Sequence, residues 1–274
     1  MSGFQALASL HQALSAFEGE HLCIDCATLS WLDAHLSAPF QTIALHCVAK
    51  GNRLQLANLR DSVRTILKKN GLLKDKAPDT NHTTMPVTRF ELHQEVEFAN
   101  YTRRHMARRE MPAMTPQLKA KFYEGIDELF ANSSLHSSSK IRVTVAGQFF
   151  PRNERLSFSI SDGGRGIDGS LRAAGLTILS SEDAIDWAMQ PNNTSRHGDI
   201  PGGLGLRLIR DFVEVNRGTL TVCSSSGFWM QNGSEVSKKR LRHRFPGTAV
   251  VLDIMTSDKN RYDLKAAQDP RNIW

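Results

Sequence analysis

The stretch that most constrains the fold of this chain is ISDGGRGI, residues 160–167, where one aspartate is followed by three closely spaced glycines. It directly follows the stretch RLSFSI, residues 155–160, and shares its last residue. The alternating apolar and polar side chains of RLSFSI predict a strand with one buried face. Glycines directly after a strand permit a tight turn and let the backbone approach a bound group closely. Asp162 therefore ends a predicted strand at a place where several unrelated folds bind phosphates.

Two familiar glycine motifs do not account for this turn. Gly164, Gly166 and Gly169 fit the letters G-x-G-x-x-G of dinucleotide-binding folds. However, the preceding strand has the alternation of an antiparallel sheet, and no second strand follows at the distance that a strand–helix–strand unit requires. The phosphate loop that ends in G-K-[S/T] is missing from the sequence. The glycines alone indicate a turn and no particular ligand.

Other motifs accompany the glycine turn in a fixed order. Upstream, Glu128, Asn132 and His136 are spaced by four in EGIDELFANSSLHSS, so they share one face of a predicted helix. Downstream come a second glycine turn, GGLGL at residues 202–206, and a G-T pair at residues 247–248. The glycine turn thus belongs to an ordered set of motifs.

This ordered set resembles the GHKL ATPase superfamily, which includes gyrase, the MutL mismatch-repair proteins, histidine kinases and anti-sigma-factor serine kinases. The resemblance covers roughly residues 91–256. The N box of the family corresponds to Glu128 and Asn132, and its D-x-G-x-G box corresponds to residues 162–166. The resemblance implies an α+β two-layer sandwich of the Bergerat type that binds ATP and Mg²⁺.

The chemistry of these side chains agrees with the roles that the resemblance implies. Asp162 is an acceptor-only carboxylate, suited to the exocyclic amine of adenine. Asn132 offers a neutral oxygen to Mg²⁺, an ion that keeps several waters and binds substrate phosphates. Glu128 is the expected catalytic residue, because it could orient or deprotonate a water or hydroxyl beside the γ-phosphate. The other expected ATP contacts are Gly164, Gly166, Ile167, Gly203, Leu204, Gly205, Leu206 and Thr248.

Residues 168–200 are expected to form a mobile lid over the nucleotide. Within this segment, SSEDAIDWAMQ, residues 180–190, predicts a short helix. The second glycine box precedes LRLIRDFVE, so a helix N-terminus is expected to point free amides at the phosphates. Pro201 replaces the usual first glycine of this box, and Arg196 and His197 are interpreted as solvated lid residues.

Within the superfamily, the N box with Glu128, Asn132 and His136 is most similar to the anti-sigma-factor serine kinases. His105 lacks the sequence pattern around the phosphoacceptor histidine of histidine kinases, so it is interpreted as a helix-surface residue. Gyrase and MutL relatives need a following domain, whereas a polar tail is expected here at residues 257–274.

Residues 1–73 predict an initial helix and then a small α/β unit in the order strand, helix, strand, helix. This segment is similar to the STAS-type domains of anti-sigma-factor antagonists. Their phosphorylatable serine follows an aspartate, but Ala34 and His35 follow Asp33 here, so phosphorylation at this place is not expected. Residues 74–90 are polar, contain two prolines and show no period, which predicts a linker.

Composition bears on the location of the protein and on its partners. Four cysteines in 274 residues do not form a disulfide framework, and no apolar run approaches the roughly 20 residues of a membrane span. A cytoplasmic protein is therefore expected, and the resemblance to anti-sigma-factor kinases implies a bacterial one. Cys23 and Cys26 form a C-x-x-C, but without a second pair a zinc or redox role is disfavoured.

The net charge of +6 is a mild excess of basic over acidic residues. The densest run of basic residues is SKKRLRHRF at residues 237–245. This run is interpreted as a solvated hairpin loop, with contact to nucleic acid as the less favoured alternative.

Two main functions stay open. One is ATP hydrolysis, or phosphoryl transfer to a serine or threonine of a partner protein such as a STAS or sigma-factor-like regulator. The other is a module in which ATP only fixes the lid conformation for partner capture. The oligomeric state, including a homodimer, does not follow from the sequence.

Overall fold

The computed structural model describes residues 2–108, 110–177, 180–190, 193, 204–258 and 260–263. The N-terminal part contains α1 (Ser2–Leu14), β1 (His21–Asp25), α2 (Ser37–Ala49), β2 (Arg53–Ala57) and α3 (Asp61–Lys69). The middle part contains β3 (Thr84–Phe90), α4 (Glu95–Met106), β4 (Ala113–Met114), α5 (Pro116–His136), β5 (Val143–Phe150) and β6 (Arg155–Asp162). The last part contains α6 (Gly166–Ala173), α7 (Ser181–Met189), α8 (Leu204–Asn216), β7 (Thr219–Asn232), β8 (Glu235–Met255) and β9 (Arg261–Tyr262).

The centre of the fold, among the described residues, is an antiparallel five-stranded sheet in the order β3-β5-β6-β8-β7. Helices α4, α5 and α8 cover one face, and Phe98, Phe130 and Phe158 belong to the large apolar core between the helices and the sheet. The rings of Phe98 and Phe130 stack with their centroids 4.7 Å apart. A helical layer on an antiparallel sheet is compatible with the predicted α+β sandwich.

The other face of the sheet is also covered, and strand β6 shows how. Its apolar side chains join the large core, whereas the alternating Ser159 and Ser161 contact α2 and the 3₁₀ turn before it. Thr42 donates to Ser161 Oγ at 2.8 Å, and Ser159 donates to the carbonyl oxygen of His35. Because serine side chains are small, the helix can approach the strand closely enough for these bonds. The alternation in the sequence predicts one buried face, but both faces are buried.

Helix α1 packs beside α2 on this second face of the sheet. The ring of Phe4 lies 6.1 Å from that of Phe228 and 6.2 Å from that of Phe245, measured between centroids. Leu7 of α1 and Leu241 of β8 belong to the same apolar cluster. The N-terminal helices and the sheet therefore share a hydrophobic core.

The predicted order of elements in residues 1–73 is confirmed by β1, α2, β2 and α3. Strands β1 and β2 pair in parallel, as expected for strands joined by a helix. Val63 and Leu67 of α3 form a small apolar cluster with Cys26 and Leu59. The similarity of this unit to STAS domains stays a prediction.

The predicted linker over residues 74–90 is wrong for its last seven residues, which form β3. This strand lies at the edge of the sheet beside β5, and it buries Met85 and Phe90. The register shifts between Met85 and Thr88, so Pro86 lies at an irregularity of an edge strand, where proline is tolerated. Proline in the sequence indicated a loop, but its position in the sheet makes it compatible with a strand.

The basic run at residues 237–245 is part of β8, so the prediction of a hairpin loop is wrong. Strand β8 pairs with β7 along this run, and the chain reverses at Gly233, whose φ is 56°. Leu241 and Phe245 are buried in the cluster beneath α1, whereas the basic residues between them are largely exposed. Two apolar residues of the run thus belong to the core, and most of its basic residues face solvent.

The helical region predicted from about residue 91 consists of two helices, α4 and α5. Thr115 caps α5 by accepting a hydrogen bond from the Leu118 N–H at 3.4 Å, and Pro116 occupies the first helical position. In the part of the chain that the structure describes, none of the helices has both the length and the apolar character needed to cross a bilayer.

Candidate functional site

A cavity of about 170 Å³ opens where β6 ends, between the sheet and the helices. A cavity of about 150 Å³ holds a benzene ring, so this space is large enough for an organic ring. The wall is formed by α5, β6, β7 and β8, together with α6, α7 and α8. Most wall side chains are apolar; they include Leu129, Ile160, Leu171, Met189, Val222 and Val250.

Helix α5 brings two predicted site residues to this cavity. Ile126 and Phe130 are buried in the large core and fix the orientation of the helix against the sheet. Glu128 and Asn132 both line the cavity. They are four residues apart, so they lie one turn apart on the same helix face. The predicted catalytic residue and the predicted metal ligand therefore share one wall.

Asp162 is the most buried charged group of the cavity wall, with only 4% of its surface exposed. Its Oδ1 accepts a hydrogen bond from the Gly164 N–H at 2.9 Å, and its Oδ2 accepts one from Ser133 Oγ at 3.3 Å. Burial raises the pKa of the Asp162 carboxyl to about 6, although these bonds and one from the Thr248 N–H act in the opposite direction. A further donor from a ligand would compensate part of the cost of burying this charge.

Gly164 and Gly166 have different tasks in the turn after Asp162. A Cβ on Gly164 would lie 2.1 Å from the carbonyl oxygen of Ser137, at the end of α5. The N–H of Arg165 donates to that same oxygen at 2.8 Å. Gly164 therefore lets the turn close against α5. Among the described residues that line the cavity, Gly166 is present and Gly164 is not, so the expected close approach to the base fits Gly166 alone.

The predicted G-T pair packs directly against Asp162. Thr248 is its neighbour on β8 and lines the cavity. Gly247 has a φ of 101°, and a Cβ there would lie 2.2 Å from the carbonyl oxygen of Asp162. Ser224 Oγ accepts from the Ile167 N–H at 2.8 Å and lies 3.0 Å from Thr248 Oγ1. Sequence reasoning missed Ser224, because three consecutive serines in a strand do not indicate which one faces the site.

Helix α2 supports the glycine turn from the opposite side of the sheet. Nε2 of His46 lies 3.1 Å from the carbonyl oxygen of Gly163, to which it donates when it carries the ring proton. Burial lowers the pKa of His46, which favours the neutral ring. No motif in the sequence points to this contact, since 117 positions separate the two residues.

Helices α6 and α7 lie along the cavity in the segment that was predicted to form a lid. The predicted helix at residues 180–190 is confirmed as α7, which Ser180 caps. Asp168 of α6 accepts from Ser181 Oγ of α7 at 3.2 Å, which joins the two helices. Trp187 of α7 adds an aromatic side chain to the cavity wall. The sequence offered a signal for Trp187, because it is the one aromatic residue of the predicted lid helix.

The second glycine box lies only partly within the described residues. Gly203 of this box, Pro201 before it, and Arg196 and His197 of the predicted lid lie outside the described residues. Helix α8 begins at Leu204, so Gly205 belongs to its first turn instead of preceding the helix. Leu206 lines the cavity, which brings the start of α8 to the site.

In the described ranges, no three His, Cys, Asp or Glu side chains come together in a way that could hold a metal ion. This covers the C-x-x-C pair, in which Cys23 is exposed and the Cys26 thiol donates to the Ile24 carbonyl oxygen at 3.6 Å. A magnesium ion at Asn132 would take most of its oxygen ligands from phosphates and water, as this ion commonly does.

Comparisons with known proteins give little beyond these observations. No protein-family model matches the sequence, and no curated protein matches it. Among solved structures, the chain is similar to the histidine kinase domain of the blue-light activated histidine kinase of Erythrobacter litoralis EL346. The identity is 11%, the TM-score is 0.29, and the match covers 92% of each chain. A similarity of this size carries no argument about activity, so the function rests on the site itself.

Proposed function

We propose that the cavity binds ATP, with the exocyclic amine of adenine donating a hydrogen bond to Asp162. The observation that carries this proposal is a carboxylate only 4% exposed in the wall of an apolar cavity large enough for a ring. A hydrogen bond to a charged group contributes about 1.5–3 kcal/mol. Residues proposed to contact the nucleotide are Asn132, Gly166, Ile167, Gly203, Leu204, Gly205, Leu206 and Thr248.

The proposed reaction is transfer of the γ-phosphoryl group to water or to a hydroxyl group. The attacking oxygen forms a bond to the γ-phosphorus, and ADP leaves with the electrons of the broken bond. Glu128 orients the attacking group and takes its proton. Asn132 would hold Mg²⁺ together with the phosphates, and the ion would neutralise part of the phosphate charge.

The proposed acceptor is a serine or threonine of a partner protein, as for the anti-sigma-factor serine kinases. The similarity of the N box, with Glu128, Asn132 and His136, to that of these kinases supports this branch. The STAS-like unit would then serve as the docking part. A nucleic-acid partner is less well supported, because Lys238 in the basic run pairs with Asp183 and Asp186 of α7, both at 3.1 Å.

The decisive experiment compares Glu128→Gln with Glu124→Gln. Glu124 is an exposed residue one turn earlier on α5, where it pairs with Lys121 at 2.6 Å. We expect both variants to bind ATP like the wild type, because neither change affects Asp162. Phosphate release or transfer should fall by roughly 10²–10⁴ in Glu128→Gln only, the usual contribution of a positioned general base.

Three outcomes would revise the proposal. Equal turnover of Glu128→Gln and the wild type would remove the catalytic role of Glu128. Wild-type protein that binds ATP without turnover, even with candidate partners present, would favour the module in which ATP only fixes a conformation. Failure of the wild type to bind ATP in titration calorimetry would contradict the proposed site.

A further inference from the structure

A second and larger cavity lies in the N-terminal part of the chain. It has a volume of about 350 Å³ and is bounded by α1, by the β1–β2 pair and by α3. Among described residues, its wall and that of the first cavity have no member in common. Most of the wall is aliphatic; typical members are Leu7, Leu10, Leu29, Leu36, Leu56 and Leu67.

The wall of this second cavity is apolar but not closed. Leu10, Leu29 and Leu56 are only half-buried, although each faces the middle of the N-terminal unit. Aliphatic side chains without partner atoms on one side lose the dispersion contacts that a packed core provides. An apolar occupant would restore those contacts, which makes the cavity suited to a hydrocarbon.

The mouth of the cavity carries the groups that would meet the polar end of an occupant. Trp31 is 60% exposed, and its Nε1 donates to Asp33 Oδ1 at 2.8 Å. The Oδ1 of Asp25 accepts from Asn58 Nδ2 and from the Ala27 N–H, both at 3.0 Å. These two bonds lower the pKa of Asp25, so its carboxylate is charged at neutral pH. A negatively charged head group would be repelled there.

We propose that this cavity binds a hydrocarbon chain of medium length with an uncharged or cationic head group, such as an alkyl alcohol or alkyl amine. A cavity of about 150 Å³ holds benzene, so 350 Å³ corresponds to roughly 10–14 non-hydrogen atoms. The chain lies among the leucines, and the head group lies at the mouth beside Asp25 and Trp31. The proposal is independent of the proposed ATP site, because the two walls are separate.

The first test is titration calorimetry of the full chain with 1-decanol and with decanoate, which have the same chain length and differ in charge. We expect saturable one-to-one binding of 1-decanol. Decanoate should bind about tenfold more weakly, because its carboxylate meets that of Asp25 near the protein surface. Absence of saturable 1-decanol binding, or tighter binding of decanoate, would overturn the proposal.

One pair of variants places the ligand in the cavity. Ala6 is an exposed residue of α1 that lines the cavity, so Ala6→Phe should fill part of it and weaken 1-decanol binding at least tenfold. Ala13 is exposed on the same helix outside the wall, and Ala13→Phe should leave the affinity unchanged. Unchanged affinity in a folded Ala6→Phe variant would contradict the site.

Asp25→Asn tests the head-group position without filling the core, because an exposed side chain keeps its size and its acceptor oxygen. It should bring the affinity for decanoate within a few-fold of that for 1-decanol. A decanoate-to-decanol ratio equal to that of the wild type would place the head group elsewhere and overturn the proposal, whether or not Ala6→Phe folds.

Discussion

At the scale of the residue, the role proposed for Asp162 predicts which base the site accepts. Asp162→Asn keeps the size of the side chain but replaces one acceptor oxygen with a donor. We expect ATP to bind about 10- to 150-fold more weakly, the equivalent of one lost hydrogen bond to a charged group. GTP presents an acceptor where ATP presents its amine, so the wild type should reject GTP and the variant should narrow the preference.

Titration calorimetry of ATP and GTP against both proteins measures this effect. Asp253→Asn is a matched control, because Asp253 lies on β8 beside Ser157 and Arg155, away from Thr248. The control should keep the preference for ATP. Wild-type ATP affinity in Asp162→Asn would show that the glycine turn is structural only.

The same carboxyl predicts how binding and stability depend on pH. Its pKa of about 6 in the folded protein exceeds the value of about 4 in an unfolded chain. Folding therefore favours the protonated form, and the contribution of Asp162 to the stability of the ligand-free protein should fall as the pH rises from about 4 to about 6. ATP binding needs the ionised acceptor, so affinity should fall by up to about tenfold per pH unit below pH 6. Calorimetry and urea unfolding between pH 4 and 8 should show both trends in the difference between the wild type and Asp162→Asn, because the other titrating groups are common to the two proteins.

At the scale of the element, Gly247 sets how closely β8 approaches the end of β6. Gly247→Ala would combine an unfavourable φ with a Cβ 2.2 Å from a backbone oxygen, and should destabilise the protein by roughly 2–5 kcal/mol. Gly175 has a similar φ of 81° but nothing within 4 Å of the added Cβ, so Gly175→Ala should cost only about 1–2 kcal/mol. Urea unfolding of the two variants measures the difference. Equal losses of unfolding free energy in the two variants would mean that β6 and β8 shift apart at no energetic cost.

At the scale of the whole molecule, α1 and α2 form a second layer on the sheet. Phe4→Ala removes a ring that is 5% exposed and packs on Phe228 and Phe245, so it should destabilise the protein by about 3–5 kcal/mol. Phe17→Ala, at a ring that is 45% exposed, should change stability by no more than about 0.5 kcal/mol. Because the core is shared, Phe4→Ala should lower one common unfolding transition, followed by circular dichroism and by loss of ATP binding. Two separate unfolding transitions, of which Phe4→Ala shifts only that of the N-terminal part, would show that residues 1–73 fold independently.

The sequence by itself determined the local elements and indicated which residues line the first cavity. Hydrophobic periods and capping residues act between near neighbours, so the elements of residues 1–73, strands β5 and β6, and the lid helix α7 follow from the sequence. Glu128 and Asn132 share a helix face for the same reason. Asp162 and Thr248 are adjacent on paired strands, although only their motifs, not their spacing of 86 residues, indicated a common site.

Only the tertiary structure decided what covers each surface. The alternating serines of β6 predict a half-exposed strand. However, α2 and the 3₁₀ turn before it pack on Ser159 and Ser161 through bonds to residues more than a hundred positions away. Pro86 and the basic run indicated loops, yet pairing with neighbouring strands makes both parts of the sheet. The contact of His46 with Gly163 and the second cavity likewise depend on which faces meet. Such contacts depend on long-range packing, and local sequence patterns do not encode which distant surface covers a given face.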